Sequence, residues 1–152
     1  GMAAREKKIL VFVQALELQI FLETVLTEGM YETVIAMDCE QAFESIIIEN
    51  PSLIIIDMMM SNQEGIRMYR QLKQHEKFKV LPVIMLSTLA KEAFFQFQHI
   101  DYAPRSDHSV TGLSRPEGYL SKPPEAEELI QTIQSIFRKH IRKTAGGRYQ
   151  CH

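Results

Sequence analysis

Short apolar runs alternate with helix-like stripes along this chain, and this alternation constrains the fold more than any other sequence feature. The first run, residues 9–13, is continuous and rich in β-branched side chains. Such a run is typical of a strand buried on both faces of a parallel sheet. Apolar residues then recur at helical intervals, at Leu18, Phe21, Leu22 and Val25. The sequence therefore predicts a strand followed by an amphipathic helix.

Four more units of the same kind follow. Predicted strands cover residues 33–36, 53–56, 82–86 and 119–120. The apolar stripes of the helices that follow them contain Phe43, Ile66, Phe94 and Leu129. Five strand-and-helix units in alternation predict an α/β fold: an open, parallel, doubly wound sheet with right-handed crossovers and helices on both faces.

The composition is that of one globular domain. Of the 152 residues, 45% are apolar and 24% are charged. A net charge of −2 provides no basic field for nucleic acid, and the apolar runs are far shorter than the roughly 20 residues that span a bilayer. Cys39 and Cys151 are too far apart to indicate a disulfide framework or a zinc site. We therefore expect a cytoplasmic domain with no nucleic-acid or membrane partner.

Residues with useful chemistry follow the predicted strands directly. Asp57 follows the third strand, Ser87 the fourth and Lys122 the fifth, whereas Val13 and Gln14 end the first. The carboxyl ends of parallel strands meet at one edge of the sheet, where such folds bind ligands. An aspartate, a hydroxyl and an ammonium at this edge could together accept a phosphoryl group, with Asp57 as the nucleophile.

These residues stand in motifs that resemble the receiver domains of two-component response regulators. The matching segments are residues 53–60 with Gly65, residues 82–87 and residues 119–123, and the likeness covers about residues 8–137. The resemblance implies the flavodoxin-like (βα)5 fold with strand order 2-1-3-4-5. Asp57 would be the phosphoacceptor and Lys122 would bind the phosphoryl group. Ser87 and Tyr119 would be the switch residues.

The same resemblance implies a role in a two-component phosphorelay rather than in enzymatic turnover. Its expected partners are proteins, such as a histidine kinase or an output protein. The family commonly uses the face formed by its fourth helix and fifth strand to bind partners or to dimerise. A homodimer through that face is therefore one expectation for this chain.

The chain departs from the family at the end of the first strand. The family has two acidic residues there, which hold Mg²⁺ together with the acceptor aspartate, but Val13 and Gln14 occupy these positions. Asp57, the main-chain carbonyl of Met59 and water would bind Mg²⁺ weakly at best. Asp57 would instead pair with Lys122 without a competing acid. We expect an atypical receiver that needs no cofactor, is phosphorylated weakly or not at all, and acts through protein contacts.

Two other functions stay open. The main alternative is a working Mg²⁺-dependent phosphoacceptor that uses Asp57. The second is a small nucleotide or flavin binder of the same fold. It is disfavoured because residues 13–17 contain no glycine with which to build a phosphate cradle at the helix start.

Two segments fall outside the receiver pattern. We predict a domain over residues 8–138, with an insertion near residues 99–118 that contains Pro104, Gly112 and Pro116. Long connections of this kind are often functional, so an altered partner surface is expected there. Residues 139–152 are predicted to be a basic tail: a solvated helix end followed by a frayed segment at Gly146 and Gly147.

Overall fold

The computed structural model describes residues 7–90, 92 and 115–150, and the side chains of the last helix as far as His140. The strands are β1 (Lys8–Phe12), β2 (Glu32–Ala36), β3 (Leu53–Asp57), β4 (Val83–Ser87) and β5 (Gly118–Ser121). The helices are α1 (Leu16–Glu28), α2 (Cys39–Glu49), α3 (Glu64–Gln74) and a C-terminal helix (Ala126–Gln150). A short 3₁₀ turn (Ser61–Gln63) precedes α3.

The five strands form one parallel sheet in the order β2-β1-β3-β4-β5, which confirms the predicted fold class. Every residue of β3 and β4 is buried. Alternate residues of β1 enter opposite apolar layers: Ile9 and Val11 pack with α1 and the C-terminal helix, whereas Leu10 and Phe12 pack with α2 and α3. The unbroken apolar runs of the sequence are therefore strands covered on both faces.

Local hydrogen bonds set the ends of α2, and the spacing of Asp38 and Gln41 in the sequence predicts a capping box at its start. The Asp38 carboxylate accepts the backbone N–H of Gln41 at 2.8 Å, and the Gln41 side chain accepts the backbone N–H of Met37 at 3.0 Å. This reciprocal arrangement is a variant of the capping box. The Gln41 side chain bonds the N–H of Met37, which is one residue before the N-cap residue Asp38. The helix ends at Asn50, whose φ of 51° is left-handed, directly before Pro51.

A buried lysine, which the sequence analysis did not single out, joins α3 to the beginnings of β4 and β5. Lys73 Nζ donates to the carbonyl oxygens of Leu81 at 3.1 Å and Lys79 at 3.3 Å, and it lies 3.4 Å from the Glu117 carboxylate. Glu117 also accepts the backbone N–H of Val83 at 2.7 Å. Burial lowers the pKa of Lys73, and Glu117 opposes that change. These contacts fix the point at which the chain enters β5.

Some predicted features lie outside the described residues or differ from expectation. Most of the predicted helix over residues 90–98 and most of the insertion near 99–118 lie outside the described part. The C-terminal helix continues through Gly146 and Gly147 to Gln150, beyond the predicted domain boundary. Helical backbone bonds are local, so each glycine costs only about 1 kcal/mol without interrupting them. Among the described helices, none is both long and apolar enough to cross a membrane.

Gly65, in the first turn of α3, supports a testable prediction about the approach of this helix to β3. A Cβ at Gly65 would collide with the carbonyl oxygen of Asp57 and lie 3.2 Å from the Cα of Met58. Because backbone cannot move aside as a side chain can, we expect Gly65→Ala to lower the free energy of unfolding by about 2–3 kcal/mol in urea titrations. Gly118→Ala is the control, because its Cβ would meet only side-chain atoms. Equal losses in the two variants would contradict the prediction.

Candidate functional site

The carboxyl edge of the sheet brings the predicted site residues together. Asp57 ends β3 and Ser87 ends the neighbouring strand β4. Lys122 directly follows β5, and its backbone N–H donates to the carbonyl of Ser87 at 3.1 Å. The three side chains are contributed by three adjacent strands, as the parallel arrangement requires. Their roles in phosphoryl chemistry remain predictions.

Asp57 is a buried carboxylate with both oxygens engaged. Its Oδ1 accepts the backbone N–H of Met59 at 2.8 Å, and its Oδ2 lies 2.9 Å from Lys122 Nζ. The Asp57 side chain is 3% exposed and that of Lys122 is 24% exposed. A buried charge is strongly unfavourable unless it is paired and hydrogen-bonded. The ion pair meets that requirement within the protein itself.

Ser87 and Tyr119 hold the segment that follows β4. Ser87 Oγ is buried and accepts the backbone N–H of Leu89 at 2.9 Å, while Tyr119 donates its hydroxyl to the Leu89 carbonyl at 3.0 Å. Met59 Sδ lies 3.8 Å from Ser87 Oγ. Burial raises the pKa of Tyr119, and a hydrogen bond with Ser87 opposes this change. Tyr119 is therefore a neutral donor at physiological pH.

Val13 and Gln14 occupy the two positions at which the family has acidic residues, and their surroundings differ. Val13 is fully buried in the layer that contains α1, and its carbonyl accepts Gln19 Nε2 at 2.8 Å. Gln14 Oε1 accepts the hydroxyl of Ser61 at 2.9 Å and its N–H at 3.3 Å, while Gln14 Nε2 donates to the carbonyl of Met37 at 3.4 Å. We call these three bonds the amide strap. A carboxylate here could accept from Ser61 but could not donate to Met37.

The residues at this edge do not fit a Mg²⁺ site. Mg²⁺ prefers near-octahedral oxygen coordination that includes carboxylates. The Val13 side chain has no oxygen, the Gln14 amide oxygen already accepts two hydrogen bonds, and the Asp57 carboxylate is paired with Lys122. In the part of the chain that the structure describes, no three His, Cys, Asp or Glu residues are grouped to hold a metal. The main-chain carbonyl of Met59 would be the only other predicted protein ligand.

Several contributors to the site were not identified from the sequence. Ser61 donates to Gln14 and the backbone N–H of Leu89 donates to Ser87, but neither residue stands in a distinctive motif. Gln19 shows only as a polar residue beside an apolar helical stripe. Met58 and Met60 are buried in the core, whereas Met59 is 44% exposed and its Sδ lies 3.8 Å from Ser87 Oγ. Sequence spacing alone could not distinguish these three methionines.

Cys39 does not provide a reactive group near the site. Its backbone N–H donates to the Glu64 carboxylate at 3.2 Å, and its thiol lies 3.7 Å from the Glu64 carbonyl oxygen. Burial, with a further contribution from Glu64, raises the pKa of Cys39 to about 12. A thiol with this pKa is almost entirely protonated at neutral pH and is a poor nucleophile.

Comparison with known proteins decides the family. The profile described as response regulator receiver domain matches residues 14–101, which is more than half of the chain. The chain belongs to this family. The match includes Gln14, Asp57 and Ser87, and it ends before Tyr119 and Lys122, so the placement of the last two rests on the geometry of β5.

This receiver domain spans about half the length of the curated relatives it matches. It is 32% identical over 139 residues to a Cyanophora paradoxa protein named Probable transcriptional regulator ycf27, covering 91% of this chain and 51% of the relative. It is 26% identical over 134 residues to the phosphate regulon transcriptional regulatory protein PhoB of Pseudomonas aeruginosa, covering 88% and 52%. The solved receiver domain of Francisella response regulator 1452 superimposes with a TM-score of 0.66 at 26% identity, covering 88% of this chain and 98% of that one.

The Asp57–Lys122 pair yields a second prediction. Lys122→Met would leave a buried carboxylate without its cation, so we expect a loss of about 2–3 kcal/mol in the free energy of unfolding near neutral pH. Part of that loss should return in Asp57→Asn/Lys122→Met, because the stranded charge is gone. Lys79→Met is the control, since Lys79 pairs with Glu76 at 3.2 Å on the exposed surface. If the free energy of unfolding falls by the same small amount in both lysine variants, the Asp57–Lys122 pair is solvated and the prediction is wrong.

Proposed function

We propose that this receiver domain serves two-component signal transduction as a protein-binding module whose conformation does not depend on phosphorylation of Asp57. The observation that carries the proposal is the 2.9 Å contact between Asp57 and Lys122. Val13 and Gln14 place no second carboxylate beside this pair. The charge of Asp57 is balanced by Lys122, so the site does not need a cation to stabilise its folded arrangement.

In this proposal the strand-end residues position backbone rather than react. Lys122 neutralises Asp57, while Ser87 and Tyr119 hold the segment at Leu89. No catalytic turnover and no cofactor are assigned. The proposed partner is a protein, either a histidine kinase or an output protein. The names of the relatives, which are transcriptional regulators, suggest that such an output controls transcription.

The predicted dimer face lies mostly outside the described residues. Of the elements that would form it, the structure describes β5 but not residues 93–114. A homodimer through that face therefore remains a prediction from the family resemblance.

The alternative function is a working phosphoacceptor, and one observation favours it. Asp57, Ser87 and Lys122 converge at one edge, as acceptance of a phosphoryl group on a carboxylate would require. In that case an Asp57 oxygen would attack the phosphorus atom of the donor, and the leaving group would depart as the new P–O bond forms. Ser87 and Lys122 would then bind the transferred oxygens.

Intact mass after incubation with acetyl phosphate and Mg²⁺ separates these functions. We expect no gain of a phosphoryl group under conditions that label a receiver with the acidic pair. The reason is that Asp57 is already paired and no metal site balances the charge of the incoming phosphate. Asp57→Asn serves as the control for labelling elsewhere. A phosphoryl gain in the parent but not in Asp57→Asn would replace the proposal with the alternative.

Thermal unfolding in Mg²⁺ gives an independent measurement. We expect the melting temperature of the parent to be the same in millimolar MgCl₂ and in KCl of equal ionic strength. Gln14→Asp breaks the amide strap and adds a carboxylate, so its melting temperature should start lower and rise by about 2–4 °C in Mg²⁺, because a ligand of the folded state alone raises stability. Thr27→Asp adds the same charge at an exposed site near the end of α1. A Mg²⁺ response in the parent, or an equal response in Thr27→Asp, would refute the prediction.

A further inference from the structure

A pocket of about 230 Å³ opens at the amino edge of the sheet, the edge opposite Asp57. Its walls come from the residues just before β1, β3 and β4, and from Phe137 and His140 of the C-terminal helix. We call it the amino-edge pocket. β3 runs five residues from this edge to Asp57, so the pocket lies about 15 Å from the candidate site. It therefore takes no part in the chemistry considered for Asp57.

Much of the wall of the amino-edge pocket is apolar. Pro51 and Pro82 are buried, Leu81 is half-buried and Phe137 is 9% exposed. Val80, which is 66% exposed, adds apolar surface that water still reaches. Covering apolar surface of this kind removes it from water, which favours binding. The pocket therefore favours a ligand with an apolar body.

Basic side chains line the same pocket. Lys7 Nζ lies 5.0 Å from the centroid of the Phe137 ring, a cation–π contact that holds the ammonium beside the apolar wall. His140 also lines the pocket, and among the described residues that line it none is acidic. The carboxylate of Glu49, at the end of α2, is paired with Lys8 Nζ at 2.9 Å. The pocket therefore favours a negative charge on its ligand.

Hydrogen bonds fix the walls before any ligand arrives. The backbone N–H of Ser52 donates to the carbonyl of Lys8 at 2.8 Å, which ties the entry of β3 to β1. The carbonyl of Leu81 accepts the buried Lys73 Nζ at 3.1 Å, which ties the entry of β4 to α3. Walls held in this way lose little conformational entropy when a ligand binds. The amino-edge pocket is therefore preformed.

We propose that the amino-edge pocket binds a small organic carboxylate with a compact apolar body, whose carboxylate group meets the Lys7 ammonium. A hydrogen bond between an ammonium and a carboxylate is charge-assisted and roughly twice as strong as a neutral one. The pocket is smaller than the roughly 300–1,000 Å³ of sites that hold drug-sized ligands. One ring, or a branched chain of similar size, is the apolar body that fits. The ligand would contact the C-terminal helix and the starts of three strands.

Benzoate is the probe that tests this site, and its binding is followed by backbone amide shifts in an NMR titration. We expect saturable shifts at Lys7, Ser52, Leu81 and Phe137, with a Kd on the order of 1 mM because so small a ligand makes few contacts. Benzamide has the same shape without the charge, so it should bind about fivefold more weakly or worse. Acetate has the charge without the ring, so it should also bind about fivefold more weakly or worse.

Matched variants assign the binding to the pocket. Lys7→Gln should weaken benzoate binding about fivefold or more and remove the preference over benzamide. Lys79→Gln is its control, because it removes the same charge from an exposed lysine that pairs with Glu76 and does not line the pocket. Val80→Gln should weaken the binding of benzoate and benzamide alike, since apolar surface contributes to both. Asp57→Asn should leave the affinity unchanged, and thermal unfolding verifies the fold of each variant.

Each contrary outcome would overturn the ligand-site proposal. The first is the absence of saturable shifts in the parent at about 10 mM benzoate, tenfold above the expected Kd. The others are equal affinity for benzoate and benzamide, and equal weakening by Lys7→Gln and Lys79→Gln. Shifts confined to the carboxyl edge of the sheet would place the probe elsewhere and overturn it as well. Inorganic phosphate that binds as tightly as benzoate would show that the apolar wall selects nothing, which also contradicts the proposal.

Discussion

Burial of β1, β3 and β4 on both faces is the constraint on which the rest of the structure depends. The side chains of these central strands lie in two apolar layers, and their backbone groups pair in parallel ladders. A polar side chain has no place in the middle of such strands and appears only at their ends, as with Lys8 at the start of β1. Asp57 and Ser87 are each the last residue of their strand. The aspartate and the hydroxyl of the candidate site are thereby placed at the carboxyl edge.

A buried carboxylate at that edge must be neutralised. Lys122 supplies the cation from the end of β5, across β4, at 2.9 Å. Removing one partner of a buried pair typically costs several kcal/mol, whereas an ordinary hydrogen bond contributes about 1 kcal/mol. The ion pair therefore determines the charge state of the site. The weaker bonds of Gln14 and Tyr119 determine where the surrounding loops lie.

The paired charges at the carboxyl edge of the sheet are accompanied by exposed apolar side chains. A surface that exchanged metal and phosphoryl groups would have to remain hydrated around strong charges. Here the central charges are paired, and the side chains above the strand ends at Met37, Met59 and Leu89 are apolar and exposed. Covering such a surface removes apolar area from water with little loss of ion hydration. The paired charges disfavour Mg²⁺, and the exposed apolar side chains beside them favour contact with a protein.

The sequence by itself determined the order of strands and helices, the capping of α2, and the meeting of Asp57, Ser87 and Lys122 at one edge. These features follow from apolar periodicity, from side chains within a turn of one another, and from the rule that the ends of parallel strands coincide. The sequence also predicted the pairing of Asp57 with Lys122, because Val13 and Gln14 leave no competing acid at the end of the first strand.

Only the tertiary structure decided which distant side chains meet and which apolar ones stay uncovered. Gln14 and Ser61 are 47 residues apart, and Lys73 and Glu117 are 44 apart. Nothing in either local pattern specifies its partner, because such contacts depend on the path of the whole chain. The exposure of Met59 between the buried Met58 and Met60 has the same cause. Burial is set by what packs against a residue, and that is a property of the assembled fold.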